Sequence, residues 1–548
     1  MLELQKAPFF LSDTQIDWVK RTLTSLSAAE KAGQLFCVMG GDYAPETLRQ
    51  MAAEGKFGGV LFRPVQTGAE IKAAFEALDA AARVPLLKAA NLEEGGSGGQ
   101  SDGTLFGWPM LTAATDDVET ARRFGLVCGA EGAQTGINWS FSPVCDLDLN
   151  CQNPITNVRS YGSDVKRVKR FTAAYIEAME SRGVAACAKH FPGDGVDHRD
   201  QHLHPTVNSL SAEAWYRTYG AVYQNLIGRG LLSIMVGHIA QPNVAAAANA
   251  ALTQEEQYLP ASLSKTLLTG VLRGVLGFGG LITTDATIMG GYTMAMERRR
   301  AIPASIAAGC DMLVFTTDLE EDLGHLLQGI SDGLLTVERL DEAVMRVLAL
   351  KAKVCFGPHE QQPVPAAQWR RECADKAITL VKNLQPDVLP VMPERYPNIR
   401  LITLGKDEIL DGSVRQIARS YLEQLGFAVE CYDPFADDLH GTSGLAKNRL
   451  TLYFANYEQA SNQTVVRIGW CQKHALDIPR FVGEEPCVFV SLANPYHLQD
   501  VPRIKTYLNA YTATKDTICL SIDKLMGKSE FCGVSPVDPF CGLPDARL

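Results

Sequence analysis

Eight short apolar runs alternate with longer amphipathic stretches over the first 354 residues of the chain. The runs, which we predict to be β-strands, are residues 35–39, 58–62, 85–90, 137–141, 184–190, 232–238, 280–285 and 311–315. The stretches between them repeat apolar residues near the helical period and include residues 69–83, 117–135, 165–182, 212–227 and 262–276. Eight β/α units in about 350 residues favour a (β/α)8 TIM-like barrel over an open doubly wound sheet.

A second domain is predicted after the barrel. A segment rich in proline and polar residues begins at Cys355 and interrupts the helical pattern. We therefore assign residues 1–354 to the barrel, 355–371 to a linker and 372–548 to a C-terminal α/β/α sandwich domain. Within that domain we predict strands at residues 401–404, 428–431, 450–454, 487–492 and 517–521, and a helix at 413–425.

The composition excludes several classes of protein. A net charge of −11 argues against nucleic acid or an anionic membrane surface as the main partner. No run approaches the roughly twenty apolar residues of a membrane span, and the N-terminus lacks a basic segment followed by an apolar core, so we expect a cytoplasmic protein. The fourteen cysteines are scattered singly, and we interpret them as free thiols.

The loop after the fifth predicted strand has an unusual composition. Residues 189–205 hold four of the ten histidines of the chain and three aspartates. Asp200 and His202 are two residues apart, so a bent loop can bring the carboxylate onto one imidazole nitrogen. A carboxylate in that position orients the ring and stabilises its protonated form, which gives a proton donor near pH 7.

A second carboxylate, Asp285, ends the seventh predicted strand. The carboxyl ends of barrel strands share one rim, so Asp285 could reach the same substrate from the opposite face. A proton donor on one side of a bond and a carboxylate nucleophile on the other describe retaining glycoside cleavage. The alternative is a purely structural role for Asp285, as the N-cap of a helix.

The loop also carries a long motif. The sequence Lys189-His190-Phe191-Pro192-Gly193, followed after six residues by Asp200-Gln201-His202, resembles the signature of the bacterial N-acetyl-β-glucosaminidases of glycoside hydrolase family 3. That signature reads Lys-His-Phe-Pro-Gly-His-Gly, four residues, then Asp-Ser-His. Arg159-Ser160-Tyr161-Gly162 and Met235-Val236-Gly237-His238 resemble two further segments of the family.

The resemblance implies roles for individual residues. Asp285 is then the nucleophile that forms a glycosyl-enzyme ester, and His202 paired with Asp200 is the acid/base. The side chains expected to contact the terminal sugar are Lys189, His190, Arg159, Glu93, Met235 and His238. The implied activity is an exo-β-N-acetylglucosaminidase acting on cell-wall or chitin fragments. No metal or other cofactor is expected, and a homodimer is left open.

Three positions depart from the family pattern. Asp194 stands where the family has its second histidine, and Gln201 stands where it has serine. The family's Asp-x-Glu-Gly-Gly segment reads Leu92-Glu93-Glu94-Gly95-Gly96, so its sugar-binding aspartate is absent unless Glu93 or Asn91 compensates.

Three other functions stay open. A metal-dependent hydrolase could use the histidines and aspartates of the loop as ligands. A phosphorylase could use phosphate as acceptor, because an uncharged imidazole repels phosphate less than a carboxylate does. A carbohydrate-binding protein without activity is the third.

Several other polar residues are interpreted as structural. Asp146 and Asp148 are expected to order their loop, and His238 fits a hydrogen-bonded residue of the rim as well as it fits a sugar ligand. The remaining histidines are expected to be structural: His325, His359, His440, His474 and His497.

Overall fold

The computed structural model describes residues 3–356, 362–434, 448–472, 475–480 and 482–548. His359, His440 and His474 lie outside these residues. The chain divides into two compact units, of which the first comprises Met1–Phe106, Ala121–Asn153 and Val165–Ala366. The second comprises Gly107–Thr120, Pro154–Asp164 and Ala367–Leu548. The two short segments of the second unit fall within the residues 1–354 that the sequence assigns to the barrel.

The first unit contains a closed barrel of eight parallel strands. In chain order they are β1 Phe36–Met39, β2 Gly59–Leu61, β3 Leu87–Ala90, β4 Trp139–Ser140, β5 Ala185–Phe191, β6 Ser233–Val236, β7 Leu281–Ala286 and β8 Met312–Val314. Each strand pairs in parallel with its chain neighbours, and β8 closes onto β1. Every predicted strand of this unit overlaps one of these eight, so the predicted barrel is confirmed.

The barrel strands are apolar because both of their faces are covered. All seven residues of β5 are buried, as is expected for a parallel strand with side chains of the barrel interior on one face and helices on the other. Several of the helices begin at side-chain caps. Thr67, for example, forms a capping box with Glu70 at the start of the helix Gly68–Ala81. The local caps and the buried strands therefore both favour the same alternation of strands and helices.

The α-helices connect the strands. Their bounds are Asp13–Ser25, Ala28–Gln34, Pro45–Ala53, Gly68–Ala81, Pro109–Ala114, Val118–Gln134, Val165–Glu180, Ala212–Trp215, Ala221–Gly228, Pro242–Ala248, Gln254–Gln257, Gly290–Thr293, Arg298–Ala308, Leu319–Ser331, Val337–Cys355, Ala366–Ala377, Val414–Gln424 and Lys515–Leu525. The predicted helices 212–227 and 262–276 contain π-helical turns at Tyr216–Gly220 and Thr266–Val275. Helical periodicity found these segments but did not reveal that their hydrogen bonds run i→i+5.

The second unit contains a six-stranded sheet. Its strands are β9 Thr379–Asn383, β10 Asn398–Gly405, β11 Ala428–Cys431, β12 Arg449–Asn456, β13 Cys487–Ser491 and β14 Thr506–Asn509. Their order across the sheet is β9-β14-β13-β12-β10-β11, and only β9 runs antiparallel to its neighbour. The five parallel strands have a doubly wound order, which fits the predicted C-terminal α/β domain.

The strand prediction at residues 517–521 is wrong. These residues lie inside the helix Lys515–Leu525, which begins with a capping box formed by Thr514 and Thr517. The helix is buried along most of its length, so its apolar run has no visible period and could not be told from a buried strand. The strands β9 and β14 were not predicted, because each is short and mixes polar with apolar residues.

Two further features concern the whole described chain. None of the helices described is long and apolar enough to cross a membrane. The fourteen cysteines are thiols and are not joined in disulfides.

Candidate active site

His202 and Asp200 form a hydrogen-bonded pair on the loop after β5. One carboxylate oxygen of Asp200 accepts from the ring Nδ1 of His202 at 2.7 Å and from its backbone N–H at 2.8 Å. The Asp200 side chain is fully buried, whereas that of His202 is 22% exposed. Because Asp200 holds the Nδ1 proton, an exchange of protons with a substrate would use Nε2 of His202.

Asp285 lies at the carboxyl end of β7, among cationic or potentially cationic side chains. Its Oδ1 accepts from the backbone N–H of Ala286 at 2.8 Å, and its Oδ2 lies 3.9 Å from Nε2 of His190. Burial raises the pKa of Asp285, but positive charge at the surrounding side chains outweighs this and lowers the pKa below its ordinary value. The contributors to the lowering are His190, His238, His202 and Lys189. Asp285 is therefore held as a carboxylate, the form that a nucleophile needs.

The loop that carries the pair is attached to the segment after Asp285. The N–H of Gly290 donates to the carbonyl of His202 at 2.8 Å, and the N–H of Gly291 donates to the carbonyl of Gln201 at 3.1 Å. A Cβ at Gly290 would lie 2.2 Å from the carbonyl oxygen of Leu203, so only glycine allows this approach. The structure thus brings the β5 loop with His202 to the β7 segment with Asp285.

Lys189 contacts one anionic and one polar side chain of the segment after β3. Its Nζ pairs with the carboxylate of Glu93 and donates to Oδ1 of Asn91 at 3.3 Å. Leu92, which replaces the family's aspartate, is completely buried, and its methyl groups lie beside Gly99 and Gly132. Glu93 and Asn91 are the two residues that sequence reasoning named as compensating for that aspartate. Sequence reasoning did not predict their contact with Lys189.

His190 is oriented by Asp146, a residue that sequence reasoning did not include in the site. Asp146 Oδ2 lies 2.8 Å from Nδ1 of His190, and both its oxygens accept from the backbone N–H of His190 at 3.1 Å. Asp146 also accepts from the N–H of Asp194 at 2.8 Å. Its role as a loop-ordering group was expected, but its direct contact with a site histidine was not. The only signal was its position shortly after the fourth predicted strand.

His238 is buried with both ring nitrogens engaged by the protein. Nε2 contacts the carbonyl of Ala286 at 3.0 Å, and Nδ1 contacts the hydroxyl of Ser262 at 2.9 Å. Burial lowers the pKa of His238 although the nearby Asp285 carboxylate opposes this, and Nε2 donates to the carbonyl of Ala286. The carbonyl that it holds belongs to the residue directly after Asp285. This geometry fits the alternative interpretation of His238 as a hydrogen-bonded rim residue. Met235, the neighbouring candidate for a sugar contact, is buried in β6.

Arg159 belongs to the second compact unit. It ends the short 3-10 helix Asn157–Arg159, and its guanidinium donates to the carbonyl of Ile155 at 3.3 Å. Its expected contact with the sugar stays a prediction.

The histidines of the loop are engaged separately. His190 pairs with Asp146 and His202 with Asp200, while the exposed His198 lies 3.7 Å from Asp197. Among the residues that the structure describes, no group of three or more His, Cys, Asp or Glu side chains is arranged to hold a metal ion.

The barrel carries a carboxylate at the end of β7 and a histidine–aspartate pair on the loop after β5, which are side chains that can serve nucleophilic and acid/base chemistry. Comparison with known families gives the assignment: residues 27–350 match the glycosyl hydrolase family 3 N-terminal domain. The chain belongs to glycosyl hydrolase family 3.

Individual relatives differ in what their names state. A beta-N-acetylglucosaminidase/beta-glucosidase of Cellulomonas fimi is 42% identical over 573 residues and is matched over 100% of both chains. A beta-hexosaminidase of Pseudomonas aeruginosa PAO1 is 29% identical, over 52% of this chain and 83% of its own. The solved structure of the beta-glucoside phosphorylase BglX bound to 2FGlc is 43% identical, with a TM-score of 0.92 over 98% of this chain and 99% of its own. A β-N-acetylglucosaminidase structure from Paenibacillus shares the fold at 22% identity, with a TM-score of 0.79 over 94% of this chain and 100% of its own.

The pH dependence of kcat/KM tests the ionisation of Asp285. We expect the acid limb to lie below 3.8, the ordinary pKa of aspartate, because the pKa of Asp285 is lowered. Replacing Asp200 with alanine removes the side chain that orients the His202 ring, so kcat should fall by about 10²-fold for substrates whose leaving groups need a proton.

Asp200→Asn is the matched control for this measurement. It keeps an acceptor for Nδ1 of His202 but removes the charge, so the difference in kcat between the two variants separates the orientation of the ring from the effect of the charge. If both variants keep the parent kcat, Asp200 and His202 do not work as a pair.

Proposed function

We propose that this protein is a retaining exo-acting β-glycosidase that cleaves terminal β-linked N-acetylglucosamine or glucose through a covalent glycosyl-enzyme. The observation that carries the proposal is a largely buried Asp285 with a lowered pKa, together with the His202–Asp200 pair on a loop attached to the same rim. The relatives named for N-acetylglucosaminide and glucoside cleavage support both sugars as substrates.

The first chemical step forms the intermediate. A carboxylate oxygen of Asp285 attacks the anomeric carbon, and the bond from that carbon to the leaving oxygen breaks. The proton on Nε2 of His202 passes to the leaving oxygen, so the aglycone departs as a neutral alcohol. Before this transfer the negative charge of Asp200 balances the positive charge of the imidazolium, and after it the ring is neutral.

The second step releases the sugar. The neutral imidazole of His202 takes a proton from the acceptor, whose oxygen attacks the anomeric carbon and displaces the Asp285 carboxylate. Two inversions at one carbon leave the product with the β configuration of the substrate. Lys189, with Glu93 beside it, supplies charged groups for the hydroxyls of the bound sugar.

A specific observation favours phosphate as an acceptor alongside water. The acid/base here is an imidazole, and the carboxylate that assists it, Asp200, is fully buried behind the ring. Once Asp285 is esterified, an incoming phosphate meets a neutral ring where a carboxylate acid/base would present a negative charge. The similarity to a beta-glucoside phosphorylase over nearly the whole chain supports the same acceptor.

Slow fluorinated substrates test the nucleophile and the sugar together. We expect a 2-deoxy-2-fluoro-β-glucoside and a 5-fluoro-β-N-acetylglucosaminide with good leaving groups to label the protein, since both slow hydrolysis of the ester. Mass spectrometry of the digested protein should find the sugar on the peptide that contains Asp285. Asp285→Asn should remain unlabelled, and labelling of another carboxylate would contradict the assignment.

The products formed with phosphate present test the acceptor. With an aryl N-acetylglucosaminide or glucoside at saturating concentration, added phosphate should raise the rate of turnover whenever release from the enzyme is limiting. The sugar should then appear as its 1-phosphate in the β configuration, as ³¹P and ¹H NMR can detect. Sulfate at equal ionic strength is the control, and release of free sugar alone at every phosphate concentration would exclude phosphorolysis.

A further inference from the structure

Two of the departures from the family pattern contact each other. Gln201 lies between Asp200 and His202, and its Nε2 donates to Oδ2 of Asp194 at 3.2 Å. Both side chains are buried. We propose that Gln201, held by Asp194, is the positioning residue of the acid/base loop, fixing the peptide between Asp200 and His202 before substrate binds. The inference rests on the acid/base role proposed for His202.

Asp194 is a fixed support for this contact. Its Oδ1 accepts from Nδ2 of Asn153 at 2.9 Å and from the N–H of Gly195 at 2.7 Å, and its own N–H donates to Asp146. Asp146 is also the residue that orients His190. The carboxylate that receives Gln201 is therefore built into the same network as a site histidine. The histidine of the family pattern has at most one acceptor nitrogen, so it could not accept from Asn153, Gly195 and Gln201 as the Asp194 carboxylate does.

The other end of the Gln201 amide reaches the end of β6. Its Oε1 accepts from the N–H of His238 at 2.8 Å. A carboxylate on one side and an N–H on the other fix which end of the amide is oxygen and which is nitrogen. A Cβ at Gly237 would lie only 2.9 Å from this oxygen, so a glycine at that position gives the amide its room. A serine, with one oxygen on a short side chain, could not bridge both partners.

The backbone of the same residue is held from the opposite side. The carbonyls of Gln201 and His202 accept from the N–H groups of Gly291 and Gly290 after β7. The peptide between Asp200 and His202 is thus attached to the β5 loop and β6 by a side chain and to the β7 segment by its backbone. An acid held in this way needs no reorganisation when the leaving group requires its proton.

The variant Gln201→Ser, which restores the family residue, tests the proposal. We expect hydrogen–deuterium exchange in the peptide covering residues 196–206 to quicken by about 10-fold or more, because the loop opens more often. For substrates with poor leaving groups, which need the proton, kcat/KM should fall by about 10- to 100-fold. Dinitrophenyl glycosides, which leave without protonation, should lose about 3-fold or less.

Matched variants separate positioning from general damage. Gln241 is also a buried bridging glutamine, bonded to Asn208, Leu210 and Val244, and Gln241→Ser should leave the ratio between the two leaving-group classes unchanged. If Gln201→Ser does not fold, Gln201→Asn keeps the amide but shortens its reach and should shift exchange and the ratio in the same direction. Asp194→Asn places an N–H donor in the pocket and should resemble Gln201→Ser.

The two residues act as one unit if their effects do not add. The double variant Asp194→Asn/Gln201→Ser should lose no more activity on poor leaving groups than the worse single variant. Additive losses, equal losses for both leaving-group classes, or unchanged exchange in Gln201→Ser would each overturn the proposal. If His202→Ala itself shows no dependence on the leaving group, the proposed function fails, and exchange in Gln201→Ser still decides whether the loop is anchored.

Discussion

A buried carboxylate is costly unless positive charge surrounds it, and the site of this protein is arranged around that constraint. Asp285 stays ionised because His190, His238, His202 and Lys189 lower its pKa against the effect of burial. Each of these four side chains is in turn held by another residue. Asp285 and these side chains therefore form one electrostatic unit, in which removing any of the four should raise the pKa of Asp285.

The rim of the barrel supplies this unit from several strands. Lys189 and His190 lie at the end of β5, His238 follows β6, and Asp285 lies on β7. Parallel strands bring these ends to one edge, so residues almost a hundred positions apart in sequence become neighbours. The loop with Asp200 and His202 is then attached across the rim by the glycines after β7, which allow its backbone to come close.

Much of this arrangement could be predicted, and the reasons for the rest are specific. Eight apolar runs predicted eight strands, because a buried parallel strand needs apolar residues on both faces. The spacing of Asp200 and His202 predicted their contact, because a bent loop can bring together two residues that are two positions apart. The side chains that reach across long sequence distances were not predicted: Asp146 onto His190, Glu93 onto Lys189, and Gln201 between Asp194 and His238. Their partners depend on tertiary packing, which no local pattern carries. The helix that contains Ile518 was missed for the opposite reason, since its burial on all sides hides the helical period.

The central claim is that Asp285 and His202 act on one anomeric carbon from opposite faces. Azide rescue of two cavity variants measures this directly, by NMR of the glycosyl azide formed from a dinitrophenyl β-glycoside. In Asp285→Gly, azide should enter from the face of the missing nucleophile and give the α-glycosyl azide. In His202→Gly, the glycosyl-enzyme still forms and azide should attack from the other face, giving the β-glycosyl azide. The same anomer from both variants would contradict the account.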